Sequence, residues 1–158
     1  MISELRFAKR HIDYLPIGVT AKDASSGKTL AGPFSGRIID ISITGACLLM
    51  TQVLSNQYHV FYSTRESESL FLQLEINLPP DIKDLAIPAQ PIWMNLYQQD
   101  EVRAYKMGVE FMANPEGERI KQLMTALAKQ QKKRAAWWVS NSKRMIKAIT
   151  PCKPHPCR

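Results

Sequence analysis

Leu70-Phe71-Leu72-Gln73-Leu74-Glu75-Ile76-Asn77-Leu78-Pro79-Pro80-Asp81 sets Leu70, Leu72, Leu74, Ile76 and Leu78 at every second position. A period of two puts those five side chains on one face of an extended chain, the signature of a strand with one buried side. Pro79-Pro80-Asp81 ends the pattern with turn residues. The same period recurs on both sides. Leu15, Ile17, Val19 and Ala21 alternate upstream, and Ser25-Ser26-Gly27-Lys28 closes that run with a turn. Residues 36–42 read as a second strand, rich in β-branched Ile38, Ile39 and Ile41, and Ala46 to Met50 as a third. Downstream, Ile87 to Leu96 and Val102 to Met112 give two more. Residues 52–69 resist assignment, with Tyr58-His59-Val60-Phe61-Tyr62 between two serine-rich loops. Short strands without intervening helices imply an antiparallel barrel or sandwich.

The character changes at Asn114-Pro115-Glu116-Gly117-Glu118, which predicts a helix with Asn114 as N-cap and Pro115 at its first position. Ile120, Leu123, Met124, Leu127 and Ala128 come next at three- and four-residue steps and form a stripe that should pack on the barrel. Beyond Gln131 the chain turns basic, with Trp137 and Trp138 among lysines, and Pro151 stops any helix. The expected organisation is an arm over residues 1–13, a β-domain with a packed helix over 14–128, and a basic helical extension with a Pro-rich tail over 129–158.

Composition narrows the function classes. Of 158 residues, 45% are hydrophobic and 22% charged, too apolar for a disordered chain and sufficient for a core without disulfides. The net charge of +7 is unevenly spread. Residues 1–118 hold 10 Lys and Arg against all 14 Asp and Glu, a net −4, whereas 119–158 hold 11 cations and no acid. The start of the chain lacks the apolar core of a signal peptide, and no window reaches the ~20 apolar residues of a membrane span. A cytoplasmic, at most membrane-peripheral, location is expected. Cys47 sits in an apolar run and reads as a small buried hydrophobe. Cys152, His155 and Cys157 supply only three ligands at unusual spacing, either a weak zinc site or a plain tail, and no metal is expected. No nucleophile–base pair is visible, so the chain reads as a non-enzyme.

Two elements carry a binding chemistry. In Asp40-Ile41-Ser42-Ile43-Thr44-Gly45, Asp40 and Ser42 lie two apart and share a strand face, a carboxylate acceptor beside a hydroxyl, with Ile39, Ile41 and Ile43 toward the core. Gly45 lets the backbone turn and lets a neighbour come close. In Arg6-Phe7-Ala8-Lys9-Arg10, two guanidiniums four residues apart suit phosphate or the O6/N7 edge of guanine in bidentate fashion. Together they fit an anionic, guanine-bearing ligand.

Arg-x-x-x-Arg followed by Asp-x-Ser-x-x-Gly on the second strand resembles the PilZ domain. The resemblance runs over residues 5–128. It includes the strand Leu15 to Val19, the strand ending at Pro79, Ala89-Gln90-Pro91-Ile92-Trp93, and Gly108-Val109-Glu110-Phe111 before a helix. It implies a mainly β, antiparallel six-stranded barrel with a C-terminal helical extension. It also implies a receptor for cyclic di-GMP, held by Arg6, Arg10, Asp40, Ser42 and Gly45 without another cofactor. Leu5 stands where many relatives carry a third arginine, which implies one ligand molecule per site. An adaptor acting through protein contacts without ligand is the alternative. Trp93 is expected to face the core or to wall a pocket, and Gly108 to bend the barrel. The basic segment 129–149 is open to three readings: a solvated helix face, a docking surface for a protein partner or a second copy, or a contact with acidic lipid or nucleic acid. DNA is not the expected partner.

Overall fold

The computed structural model describes residues 11–149, with side-chain surroundings for 15–142 except 99. Arg6 and Arg10 therefore lie outside the described residues, as does the Cys152–Cys157 tail. Among the described residues, eight strands and one long helix run in order: β1 His11–Asp23, β2 Thr29–Ile41, β3 Gly45–Met50, β4 Leu54–Ser55, β5 Tyr58–His59, β6 Leu70–Leu78, β7 Ile82–Gln99, β8 Val102–Phe111 and α1 Glu118–Ile149. Six of the strands close into an antiparallel barrel in the order β1-β2-β3-β8-β7-β6, while β4 and β5 form a separate two-stranded hairpin. Closure leaves the barrel without an unpaired edge.

The alternation in β6 is realised as expected. Leu72, Leu74 and Ile76 are fully buried and pair with Ala89, Ile87 and Leu85 of β7 on one side and with Ala21, Val19 and Ile17 of β1 on the other. Apolar side chains from all six strands fill the interior, among them Phe34, Ile38, Leu48 and Met107. Burying a side chain of this size contributes roughly 1.5–3 kcal/mol. The β1–β2 connection turns at Asp23–Lys28, where Gly27 N donates to Asp23 O at 2.7 Å and Ser25 N to Asp23 Oδ1 at 2.9 Å.

Four elements depart from the sequence pattern. β2 begins at Thr29 rather than residue 36 and β7 at Ile82 rather than Ile87, because barrel pairing extends both beyond their apolar stretches. Residues 52–69 fold as the β4–β5 hairpin and a 3-10 turn over Thr64–Glu66. The helix starts at Glu118, not Pro115. Asn114 caps a turn instead: its Oδ1 accepts from Glu116 N at 3.0 Å and its carbonyl from Gly117 N at 2.9 Å, and the first helical bond is Lys121 N to Gly117 O.

The chain divides into two compact units, one ending at Met124 and one beginning at Thr125. In the first, Ile120 and Leu123 are fully buried, and Arg119 Nη1 ties the helix start to the Ala86 carbonyl of β7 at 2.9 Å. In the second, Ala126 and Leu127 are buried, but Ala128 is exposed, so the expected apolar stripe runs through 126 rather than 128. The described residues of the second unit all belong to α1.

Candidate functional site

Parity along β2 decides which way Asp40 points. Ile38 and Ile41 are both fully buried although they lie three residues apart, which a regular strand forbids. A bulge explains it: Ile38 pairs with Leu48 of β3 and Asp40 with Cys47, so one residue on β3 is matched by two on β2. The extra residue, Ile39, is only half-buried. In a regular strand, with Ile39 matched by a residue of its own, Asp40 would share the face of Ile38 and enter the core. The bulge turns its side chain to the outside, a recognised use of such irregularities. The expectation that Ile39, Ile41 and Ile43 line one inner face fails for this reason, and only Ile41 does so fully.

β7 repeats the device. Ile87, Ala89 and Pro91 point inward, so Trp93 would join them in a regular strand. A second bulge intervenes: Pro91 pairs with Val109 and Trp93 with Gly108, which leaves Ile92 unmatched. Trp93 is consequently on the outer face and 41% exposed, not in the core. Its indole lies across Gly108, where a Cβ would come 2.1 Å from Nε1 and 2.3 Å from Cε2. Gly108 is thus a seat for the tryptophan rather than a bend.

The pairing registers join both devices into one row across four neighbouring strands: Asp40 of β2, Cys47 of β3, Gly108 of β8 and Trp93 of β7. Residues paired across a ladder share a face. The row therefore presents a carboxylate, a thiol, a gap and an indole along one outer strip of the barrel. Asp40 is half-buried and its Oδ1 is shielded from solvent. Burial pushes the Cys47 thiol pKa up, against the pull of the Lys106 ammonium, with the Asp40 carboxylate adding to the rise. Cys47 stays a neutral thiol, in keeping with its reading as a small hydrophobe. Lys106 stands on β8 two residues from Gly108, its Nζ 4.7 Å from the centre of the Tyr97 ring, a cation–π contact that fixes a positive charge near the row.

Ser42 and Gly45 shape the turn at the end of the strip. Ser42 N donates to Gly45 O at 2.9 Å, and Ser42 Oγ accepts from Thr44 N at 3.3 Å and lies 3.1 Å from Thr44 Oγ1. Ser42 is 8% exposed, with its hydroxyl engaged locally. The neighbour that comes close to Gly45 is the chain's own backbone: a Cβ there would sit 2.3 Å from Val109 O. Thr44 O also accepts from Phe111 N at 2.8 Å, which fastens the turn to β8. Asp40, Ser42 and Gly45 are therefore brought together on a rigid turn.

The chain enters this region from β1. His11 pairs with Ile41 and Ile12 with Asp40. Arg10 precedes His11 in the sequence and lies outside the described residues.

Arg65 was not marked by the sequence. It comes from the 3-10 turn of the 52–69 segment, and its Nη1 donates to the carbonyls of Pro91 at 2.7 Å and Ile92 at 3.5 Å. These are the residues of the β7 bulge, whose carbonyls the ladder does not fully use. The guanidinium also lies 5.3 Å from the centre of the Phe61 ring. The one sequence signal for the bulge was Pro91, since a proline within a strand marks an edge or an irregularity. A shallow cavity of about 360 Å³ lined by Thr64, Arg65, Ser67, Glu68 and Gln90 contains none of the expected site residues. Among the described residues no group of three His, Cys, Asp or Glu could hold a metal ion, and no helix is long and apolar enough to cross a membrane.

No protein-family model matches the chain, and no curated protein does. Solved structures do. The PilZ domain of YcgR from Escherichia coli, determined with cyclic di-GMP, is 17% identical, superposes with a TM-score of 0.55, and aligns over 83% of this chain and 97% of that one. The MrkH–cyclic di-GMP complex of K. pneumonia is 14% identical with a TM-score of 0.54, over 82% of this chain and 55% of MrkH, so the chain spans about half of that protein. With the closed order of its six strands and the helix after them, the chain has the PilZ fold.

Proposed function

We propose that the chain is a receptor for cyclic di-GMP, bound on the outer strip of the barrel between the Asp40–Gly45 turn and the arm that carries Arg6 and Arg10. The observation that supports it most is the root of the arm. β1 pairs its first residues, His11 and Ile12, with Ile41 and Asp40, so the chain that follows the arm runs beside the carboxylate that the β2 bulge has turned outward. In this reading Asp40 accepts the N–H groups of a guanine, the complement to the O6/N7 edge that a guanidinium takes. Arg6 and Arg10 hold the phosphates and the second face of the ligand. Ser42 and Gly45 keep the turn rigid, and Trp93 walls the strip at the β7 side. Ligand binding orders the arm, and the surface so formed signals to a protein partner. With Leu5 in place of a further arginine, one ligand occupies each site. No step of chemistry on the ligand is required.

Isothermal calorimetry on the full chain tests this. Micromolar or tighter binding is expected, at one ligand per chain and weakening with salt because the ligand is anionic. Arg6→Ala and Arg10→Ala each remove hydrogen bonds to charged groups worth about 1.5–3 kcal/mol and should weaken binding ~10- to 150-fold. Variants that bind as well as the parent chain would sink the mechanism.

A further inference from the structure

The helix of the second unit carries its lysines and its tryptophans on different sides, with Arg134 on the tryptophan side. At about 100° per residue, Lys129, Lys132 and Lys133 fall within roughly 100° of arc. Trp137, Trp138, Ala135 and Val139 occupy the remaining side. Trp137, Trp138 and Val139 are 60%, 62% and 52% exposed, and the two indoles stack with centroids 6.2 Å apart. Three consecutive large apolar residues left in water on a helix signal a missing cover.

We infer that residues 129–149 form an interfacial helix that lies on an anionic phospholipid surface, independently of cyclic di-GMP. Two observations select this occupant. Residues 119–158 hold 11 Lys and Arg and no acid, which complements an anionic headgroup layer and repels a second copy of the same segment. A helix–helix seam with a second copy would use positions spaced alternately by three and four. The register through Trp137 takes Leu127, Gln130, Arg134, Trp137 and Asn141, interrupted by a cation and two amides, and the register through Trp138 takes Ala128, Gln131, Ala135, Trp138 and Ser142, with Trp138 its one large apolar residue. Tryptophan, by contrast, is the residue favoured at the headgroup boundary, and an amphipathic helix with a cationic polar face is the usual form of attachment. Arg134 falls between the two tryptophans on the helix surface, and its long stem lets the guanidinium reach the phosphate layer while the indoles sink below it. The sequence beyond continues both classes, with Lys143, Arg144 and Lys147 alongside Met145, Ile146 and Ile149.

Co-sedimentation of the full chain with vesicles of phosphatidylcholine, with and without phosphatidylglycerol, tests the inference. Pelleting with the anionic vesicles alone is expected, falling as salt rises. The double variant Lys132→Ala/Lys133→Ala should bind ~30-fold more weakly, at about 1 kcal/mol per cation near the surface. Trp137→Ser/Trp138→Ser should also lose binding while circular dichroism shows the helix intact. Equal pelleting with neutral vesicles, no pelleting at low salt, or full binding by the tryptophan variant would each overturn it. So would a dimer seen without vesicles and abolished by the tryptophan variant, or selective capture of an RNA in place of vesicles.

Discussion

Replacing Gly108 by alanine isolates the contact between the glycine seat and Trp93. The new methyl would stand 2.1 Å from Nε1, 2.3 Å from Cε2 and 2.8 Å from Cδ1, where ordinary contacts begin at 3.4 Å. The indole must therefore move by at least ~1.3 Å. It has a way out, since Trp93 is on the outer face and partly exposed, and all three obstructing atoms belong to a side chain rather than to backbone. Overpacking of this kind costs about 1–3 kcal/mol. Replacing Gly by Ala on extended backbone returns about 0.4–1 kcal/mol by restricting the unfolded chain. The net loss is roughly 0–2.5 kcal/mol, a fall in Tm of at most ~10 °C for a chain of this size. The larger effect should appear in binding. A base stacked on an aromatic ring contributes about 1–3 kcal/mol, so a displaced Trp93 should weaken cyclic di-GMP ~5- to 150-fold in a chain that remains folded. Thermal unfolding, near-ultraviolet circular dichroism and calorimetry on the same preparation read the three quantities. If the tryptophan signal changes and the affinity does not, Trp93 is no part of the ligand site; if the chain fails to fold, Gly108 belongs to the core and the parity argument for β7 is wrong.

Gly45→Ala should behave differently, because its Cβ would meet Val109 O at 2.3 Å and Glu110 Cα at 3.3 Å, and backbone cannot step aside; a loss of ~3 kcal/mol or more is expected by denaturant titration, and a variant as stable as Gly108→Ala would refute the distinction. Arg65→Ala removes the donor to Pro91 O and Ile92 O, so amide hydrogen exchange at Ile92 and Trp93 should accelerate ~10-fold from a loss of about 1–2 kcal/mol, with Arg65→Lys intermediate. Unchanged exchange would show that the ladder alone holds the bulge. His59 Nδ1 accepts from Phe61 N at 3.1 Å and Tyr62 N at 3.2 Å, and burial holds its pKa below the ordinary 6.5. A depressed histidine pKa means the unfolded chain takes up the proton first. The stability this provides is present above pH 6.5 and is lost as pH falls through that value toward the folded pKa. His59→Asn should flatten that part of the stability–pH profile, and an unaltered profile would remove His59 as its source.

The barrel was legible because two of its strands, around Leu15 to Ala21 and Leu70 to Leu78, alternate, and the others show as β-branched or apolar stretches without intervening helices. Leu70 to Leu78 displays the period in full, and burial follows it residue by residue. The two places where the period breaks were not legible: alternation sets Asp40 opposite Ile41 but does not show how Ile38 also reaches the core, and it leaves the facing of Trp93 open. Ile38-Ile39-Asp40-Ile41 offers three isoleucines, any pair of which could face the core, and nothing in the side chains says which one is the extra residue. Pro91-Ile92-Trp93 hides the second break in the same way, although its proline gave a hint. The 52–69 segment was opaque for another reason. One of its long-range duties is performed by Arg65, a charged residue in a polar stretch, and the carbonyls it serves lie 26 and 27 positions away in sequence. The helix start was misplaced because an Asn-Pro-Glu-Gly stretch suits a turn and an N-terminus equally well, and the side chain of Asn114 settled on Glu116 N.

The two bulges also bear on how such a site can change by mutation. The outward aim of Asp40 follows from its pairing with Cys47, not from the identity of Ile39. A substitution at 39 leaves that pairing in place, and deletion of that one codon removes the unmatched residue and leaves Ile38, Asp40 and Ile41 in regular in–out–in alternation. The same arithmetic holds at Ile92 for Trp93. The two bulged positions are thus places in β2 and β7 where a single residue can be lost without exchanging surface for core, and a deletion scan through both strands should show paired maxima of tolerance at these two positions.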